Sequence, residues 1–444
     1  MASSGNNPEL TPAVINWTLY DDHSVRFTHT NLSSDTLQAA SIQSPWETLW
    51  LASEEQNRES AHRYVAIKIK SSSASKMGID ADPEVARLRM LEEHYLRGPR
   101  DKPRPYVQLL DRFSHEGPNG RHNCLVTELL GPSLASVRSI FAQLEQFLRP
   151  ETVLRASRQL LQAVDFIHQA GLAHGDISPA NVVFTCRSLL EDDDDDLLDL
   201  LGEVYVANPE PDTILPTPHL PEQLVQTAKW GLWEDETEED IRLVDWGSAF
   251  PVGETVPREV LAQPLDLRAP ETFFIGKFDH CHDIWRAGCV LHMLFYAQRL
   301  FWAHYADSYC YLSRMIRKIG PLPISWLPKL AGLRKESKNA DEYDKQDDRA
   351  NSDLGLIDNT FEPRRQAIIS EISSGDEIYD LDEHTEYDFE SLKSLRRPML
   401  ALLQFEPEAR ATVKESLEMM EWVDHRREDQ GGNDEDKDEE GNER

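Results

Sequence analysis

The sequence predicts a fold that mixes strands and helices. Two observations predict it: short apolar runs that end in polar turns, and one long apolar stretch of helical length. The short runs are VVF after Asn181, IRLV before Asp245 and NCLVTELL from Asn123, the last meeting a Gly-Pro turn at Gly131. Each reads as a strand. The long stretch, Gly288–Trp302, is broken by His292, Gln298 and Arg299, so it reads as a buried helix and not as a membrane span.

Two of the polar turns carry chemistry. HGDISPAN at His174–Asn181 and LVDWGSAF at Leu243–Phe250 each stand where an apolar strand meets a turn, so Asp176, Asn181 and Asp245 are expected to converge at one sheet edge. Asp176 suits a carboxylate beside an acceptor hydroxyl. Asn181 and Asp245 offer the hard oxygens that magnesium takes when it carries a nucleotide. A lone HxDxxxxN is a weak signal; followed by a strand and DWG it is strong. LRAPE, ending at Glu271, and DIWRAGC, starting at Asp283, follow in order.

In this order the residues resemble the eukaryotic protein-kinase family, over about Thr36 to Trp422. The resemblance implies an α+β, bilobal protein-kinase fold, a small β-rich N-lobe and a larger helical C-lobe, with ATP between them. RYVAIKIK at Arg63–Lys70 looks like the family's third strand, and Glu84 in PEVARLRML falls where the C-helix glutamate belongs. In that role Lys68 holds the α- and β-phosphates while Glu84 fixes its direction. Asn123–Leu134 resembles the strand and hinge between the lobes, with Thr127 as gatekeeper and the backbone of Glu128 and Leu130 on the adenine. The implied nucleotide contacts are Lys68, Ala66, Glu128, Leu130, Asn181 and Asp245, with Asn181 and Asp245 on magnesium. Glu271 and Arg410 match the family's buried ion pair, and Asp283 matches the carboxylate that holds the catalytic loop from beneath.

Aminoglycoside and choline phosphotransferases share the HGD and VDW segments. They lack the RAPE segment, the DxWxxG helix and the closing acidic-Pro-x-x-Arg element, all of which this chain has. Within protein kinases the chain resembles the SR-protein kinases, especially fungal SR-kinase-like proteins, through WETLWLA at Trp46–Ala52, LGEVYVANPEPDTILPTPHLPEQLV and YLSRMIRKIGPLPISWL. The expected organisation is an N-terminal lead over 1–35, an extra strand or disordered; an N-lobe over 36–130; a C-lobe over 131–424; and an acidic tail over 425–444. Within the C-lobe an acidic, proline-rich insert at about 187–240 reads as a partly disordered spacer or docking segment. The polar residues at about 335–380 read as a surface excursion.

Composition sets the context. The 444 residues carry a formal net charge of −33, which disfavours nucleic acid and favours basic partners, Arg-Ser-rich proteins among them. Much of that charge lies in runs that keep segments solvated. Five cysteines without a CxxC argue for a reducing compartment, the cytoplasm or nucleus, and against a disulfide framework. HCH at His280–His282 reads as a satisfied loop, without a second pair to complete a zinc site. No membrane segment is expected, and a monomer is.

Three departures from the kinase pattern bear on activity. There is no glycine between Gly5 and Gly78, and Ser41–Glu47 reads SIQSPWE where a glycine-rich loop should cradle the phosphates. Ser178 stands where serine/threonine kinases carry a catalytic-loop lysine; losing one preorganised cation costs on the order of 3 kcal/mol of barrier. Gly175 stands where many kinases carry the arginine that receives a phosphorylated activation loop. The expected catalytic set is therefore Asp176, Lys68 and Glu84, with Ser178 at the lysine position. The expected activity is a slow serine/threonine protein kinase, not controlled by activation-loop phosphorylation. A pseudokinase serving as a nucleotide-binding or scaffold module and a small-alcohol phosphotransferase are the alternatives.

Overall fold

A computed structural model of the chain describes residues 47–54, 64–99, 102–117, 120–144, 148–187, 238–261, 264–296, 299–301, 307–347 and 392–420. It also describes the short pieces 15–19, 25–27, 206–207 and 224–225 and residues 230 and 233. The chain forms two compact units: Met1–Ile140 with Val183–Gly247, and Phe141–Val182 with Ser248–Arg444. This division differs from the lobe boundaries expected from the sequence, because Val183–Gly247 groups with the N-terminal unit. The reason is local bonding: the Phe184 N–H donates to the Pro132 carbonyl and the Gly131 N–H to the Phe184 carbonyl.

The first unit is built on a six-stranded sheet. Its strands are β1 (Ile15–Leu19), β2 (Val25–Phe27), β3 (Glu47–Glu54), β4 (Tyr64–Lys70), β5 (Leu109–Gly117) and β6 (Gly120–Glu128), in the order β2-β1-β3-β4-β6-β5. The N-terminal lead thus supplies two strands, β1 running parallel to β3. Strand alternation sorts the β4 side chains: Val65, Ile67 and Ile69 enter a core with Trp50, Ala52, Cys124 and Val126, which leaves Ala66, Lys68 and Lys70 on the opposite face. Helix α1 (Pro83–Arg97) starts at Asp82, whose carboxylate accepts the Glu84 N–H at 3.0 Å, with Pro83 in the first turn.

Part of the expected insert also belongs to this unit. Strands β9 (Val206–Ala207) and β10 (Leu224–Val225) pair with each other, and Trp233 is buried against Phe184 with ring centroids 4.4 Å apart. Glu239 is buried and hydrogen-bonded to the Thr185 hydroxyl. The remaining insert, the Ser41–Trp46 loop and the acidic tail lie outside the described residues.

The second unit is helical. Its helices are α3 (Pro150–Gln169), α4 (Glu271–Phe274), α5 (Cys281–Tyr296), α6 (Ser308–Ile319), α7 (Leu327–Glu336), α8 (Ala340–Asp347) and α9 (Arg396–Leu402); α2 (Leu134–Gln143) spans the sequence boundary between the units. Two small ribbons pair β7 (Leu172–Ala173) with β12 (Phe250–Pro251) and β13 (Val256–Pro257) with β14 (Lys277–Phe278). Strand β8 (Val182–Phe184), which lies in the first unit from Val183 on, pairs with β11 (Ile241–Leu243) of that unit.

Helix α5 is the axis of the unit, with every residue from His282 to Phe295 buried. A helix enclosed on all sides is a core element. It begins seven residues before the apolar stretch that signalled it, because Asp283 and Arg286 are buried with partners and the charged sequence ahead of Gly288 therefore does not mark the helix start. HCH is accordingly not a loop: Cys281 and His282 form the first turn of α5. Burial lowers the His282 imidazole well below its ordinary range, and neither ring nitrogen has a hydrogen-bond partner among the described residues. At Gly288 a Cβ would stand 2.9 Å from Leu403, so glycine permits the close approach of the chain after α9. The start of the 335–380 excursion is folded too. Ala340 and Tyr343 of α8 are buried, and Arg334 pairs with Asp341 and Asp344.

Candidate active site

The first unit brings Lys68, Glu84 and Asp245 together. Lys68 Nζ donates to Glu84 Oε1 at 2.9 Å and to Asp245 Oδ1 at 3.0 Å, so one ammonium joins a strand, a helix and the DWG segment. Glu84 is nearly enclosed, while the Asp245 side chain is 38% exposed. Asp245 has φ 64°, a left-handed conformation that is uncommon outside glycine and tends to occur at functional turns. The segment is anchored from helix α1: Glu84 Oε1 accepts the Trp246 N–H at 3.3 Å, and Arg87 Nη1 donates to the Trp246 and Gly247 carbonyls, both at 2.8 Å.

Lys70 was not expected here. Two residues after Lys68 and on the same strand face, it lies 2.8 Å from Glu84 Oε2 and donates to Asp82 Oδ1 at 2.7 Å. Asp82 Oδ2 also accepts from Asn123 Nδ2 at 2.9 Å. Burial raises the Glu84 carboxyl, but Lys68 and Lys70 overcome it and hold the group at about 2. The carboxylate is therefore charged at neutral pH and gripped through both oxygens.

The expected base-binding residues lie along the same unit. Ala66 is buried on β4, and Thr127 Oγ1 donates to its carbonyl at 3.4 Å. The Glu128 N–H donates to the Gln108 carbonyl at 3.1 Å, so a ligand contact at Glu128 falls to its carbonyl. Leu130 follows, just ahead of Gly131, where a Cβ would stand 2.9 Å from the Thr185 carbonyl.

The second unit brings Asp176 and Asn181 together. Asn181 Nδ2 donates to the Asp176 carbonyl at 2.9 Å and to Asp176 Oδ2 at 3.3 Å, which spends its hydrogens and leaves Oδ1, a hard oxygen, without a hydrogen bond among the described residues. The Asp176 N–H donates to His174 Nδ1 at 3.2 Å. Ser178 is nearly buried, and its carbonyl accepts the Asn181 N–H at 3.0 Å. No cation stands at 178.

Beneath the loop, Asp283 of α5 behaves as expected. It accepts the His174 N–H at 2.6 Å, the Gly175 N–H at 2.9 Å and His168 Nε2 at 3.1 Å. Burial raises its carboxyl, and the His168 and backbone donors bring it down to about 2. Gly175 has φ 77°, and a Cβ there would stand 2.7 Å from the Ser248 carbonyl. The residue at 175 is therefore glycine for steric reasons as well as lacking the receptor arginine. Glu271 and Arg410 form a bidentate buried pair, both bonds 2.7 Å.

Two donor sets thus fit magnesium-ATP in the chemistry they offer: a fixed ammonium beside a partly exposed carboxylate in one unit, and an amide oxygen beside a carboxylate in the other. No protein-family model matches the chain. It is 26% identical over 395 residues to the serine/threonine-protein kinase SRPK of Physarum polycephalum, covering 84% of this chain and 82% of that protein. The chain is an SR-protein-kinase-like protein kinase. This kinase-like chain is also 25% identical over 363 residues to the human dual specificity protein kinase CLK1, covering 80% of this chain and 59% of that one. It is 28% identical over 269 residues to the serine/threonine-protein kinase AFC1 of Arabidopsis thaliana, covering 58% and 47%. The kinase thus spans about half the length of these last two relatives.

Proposed function

We propose that the chain transfers the terminal phosphoryl group of ATP to serine or threonine hydroxyls of proteins, at low turnover. The observation that carries this reading is Lys68, joined to Glu84 and Asp245 at 2.9 and 3.0 Å. A scaffold has no physical need to gather these buried and half-buried charges, because desolvating them is costly unless a ligand or reaction uses them. Magnesium-ATP, when bound, supplies the electrophilic phosphorus and the shielding of the phosphate charge. Lys68, directed by Glu84, would hold the phosphates; Ala66, the Glu128 carbonyl and the Leu130 backbone would hold the base; Asn181 and Asp245 would hold magnesium. Asp176 would orient the acceptor hydroxyl and take its proton.

Basic acceptors, Arg-Ser-rich ones among them, are supported by the net charge of −33 and by the SRPK relative. A reducing compartment, cytoplasm or nucleus, is supported by the free thiols of Cys124, Cys186, Cys281, Cys289 and Cys310. Among the described residues no helix is long and apolar enough to cross a membrane.

The test is transfer of radiolabelled phosphate from magnesium-ATP to an Arg-Ser repeat peptide and to a generic basic protein, with Asp176→Ala beside the wild type. Signal that disappears in the variant is the expected result. Equal signal in both overturns the assignment of Asp176. No signal in either moves the pseudokinase reading forward, and stimulation of ATP consumption by choline or an aminosugar alone favours a small-alcohol enzyme.

A further inference from the structure

Arg286 stands three residues after Asp283, one turn along α5 on the same face. It is fully buried, although arginine is rarely enclosed without an anionic partner. Its Nη1 lies 3.7 Å from Asp176 Oδ1 and donates to the Ile177 carbonyl at 3.3 Å. Asp283 meanwhile takes the N–H groups of His174 and Gly175. One helical turn therefore holds the loop at two places: an anion under the amides of 174 and 175, a cation under the carboxylate of 176 and the carbonyl of 177.

We propose that Arg286 is a positioning residue for phosphoryl transfer, gripping the Asp176 carboxylate from its buried side. This rests on the reading of Asp176 as the group that takes the substrate proton. The polar groups that face Asp176 in this unit divide the work. Asn181 holds Oδ2 and the carbonyl, His174 accepts the backbone N–H, Arg286 faces Oδ1, and Asp283 shares the Arg286 helix face. With Oδ2 hydrogen-bonded to Asn181 and Oδ1 facing the guanidinium, the carboxylate is held in one orientation toward the acceptor hydroxyl. A buried guanidinium is costly to desolvate, and an apolar side chain of similar volume would fill the space at less cost; the charge is explained by what it faces. Arg286 does not replace the lysine missing at 178, because it has no exposed surface from which to reach a phosphate.

The experiment compares wild type, Arg286→Met, Arg286→Lys and Asp176→Ala as full-length proteins. Readouts are kcat and KM for ATP with an Arg-Ser peptide, plus thermal unfolding. The expected result for Arg286→Met is a fall in kcat of about a hundredfold with KM for ATP within about twofold. Arg286→Lys, which keeps the charge, should recover about tenfold of that loss. Wild-type kcat in Arg286→Met would overturn the proposal, as would a fall in kcat matched by a rise in KM for ATP and a lower unfolding temperature, or an Arg286→Lys no more active than Arg286→Met. If Arg286→Met does not fold, Arg286→Lys decides: activity as low as that of Asp176→Ala despite the retained charge overturns the proposal. A wild type no more active than Asp176→Ala removes the functional reading itself, and the proposal falls with it.

Discussion

Lys70 lies 2.8 Å from Glu84, on the oxygen that Lys68 does not use. Two lysines from one strand face thus hold a single helix carboxylate, and they should differ in effect. Lys70→Met leaves Asp82 and Glu84 buried with one cation between them, and breaking a buried pair in this way costs about 3–5 kcal/mol. We expect a clear fall in unfolding temperature with residual phosphate transfer. Lys68→Met should abolish transfer with a smaller loss of stability, since Lys70 remains. Thermal denaturation and peptide phosphorylation of both variants check the contrast.

Glu84 also sets a pH signature. Its carboxyl is held at about 2 against an ordinary value of 4.5. A depressed carboxyl contributes stability that is fully present above its unfolded value and is lost as pH falls through its folded value. The stability difference between wild type and Glu84→Gln should therefore be constant above about pH 5 and shrink between about pH 4.5 and 2. Urea denaturation at pH 7, 4, 3 and 2 measures it; a difference that does not shrink in acid contradicts the assignment.

The Glu271–Arg410 pair predicts an asymmetry. Glu271→Gln leaves the buried Arg410 guanidinium without its bidentate partner and should destabilise the fold by about 3–5 kcal/mol. Replacing both, with Glu271→Leu and Arg410→Met, removes the charge problem and should cost less than either single change. Chemical denaturation of the three variants is the measurement.

Ser178 predicts slow chemistry that one substitution improves. Ser178→Lys should raise kcat by tenfold or more, about 1.4 kcal/mol of barrier, without changing KM for ATP. Steady-state kinetics at saturating peptide test this. An unchanged kcat would mean that a cation elsewhere already serves the transferred phosphate.

Much of this site was legible because long-range motifs report long-range partners. The spacing of VAIK, the helix glutamate and DWG anticipated Lys68, Glu84 and Asp245, and RAPE with EPEAR anticipated Glu271–Arg410. Lys70, Arg87 and Arg286 were not legible, since each acts on a residue that the fold, and not the local sequence, brings near. Lys70 carried a weak sign in sharing the alternation of Lys68, and Arg286 in sharing a helix turn with Asp283. The start of α5 is hidden in the sequence because charged residues usually mark an exposed end, whereas here Asp283 and Arg286 are buried with partners. Strand β1 pairs locally with β2, but its link to the rest of the sheet is β3, more than thirty residues on, which the local sequence does not display.

The enclosure of Asp283 changes what its presence in any relative can mean. A carboxylate that takes two amides and a histidine inside the central helix serves the packing of the unit whether or not phosphate is transferred. A lineage that abandoned phosphate transfer would keep Asp283 for packing, and would shed Asp176 most readily together with the buried Arg286 that faces it. Telling working enzymes from inert descendants therefore depends on the residue above the floor, and not on the floor itself.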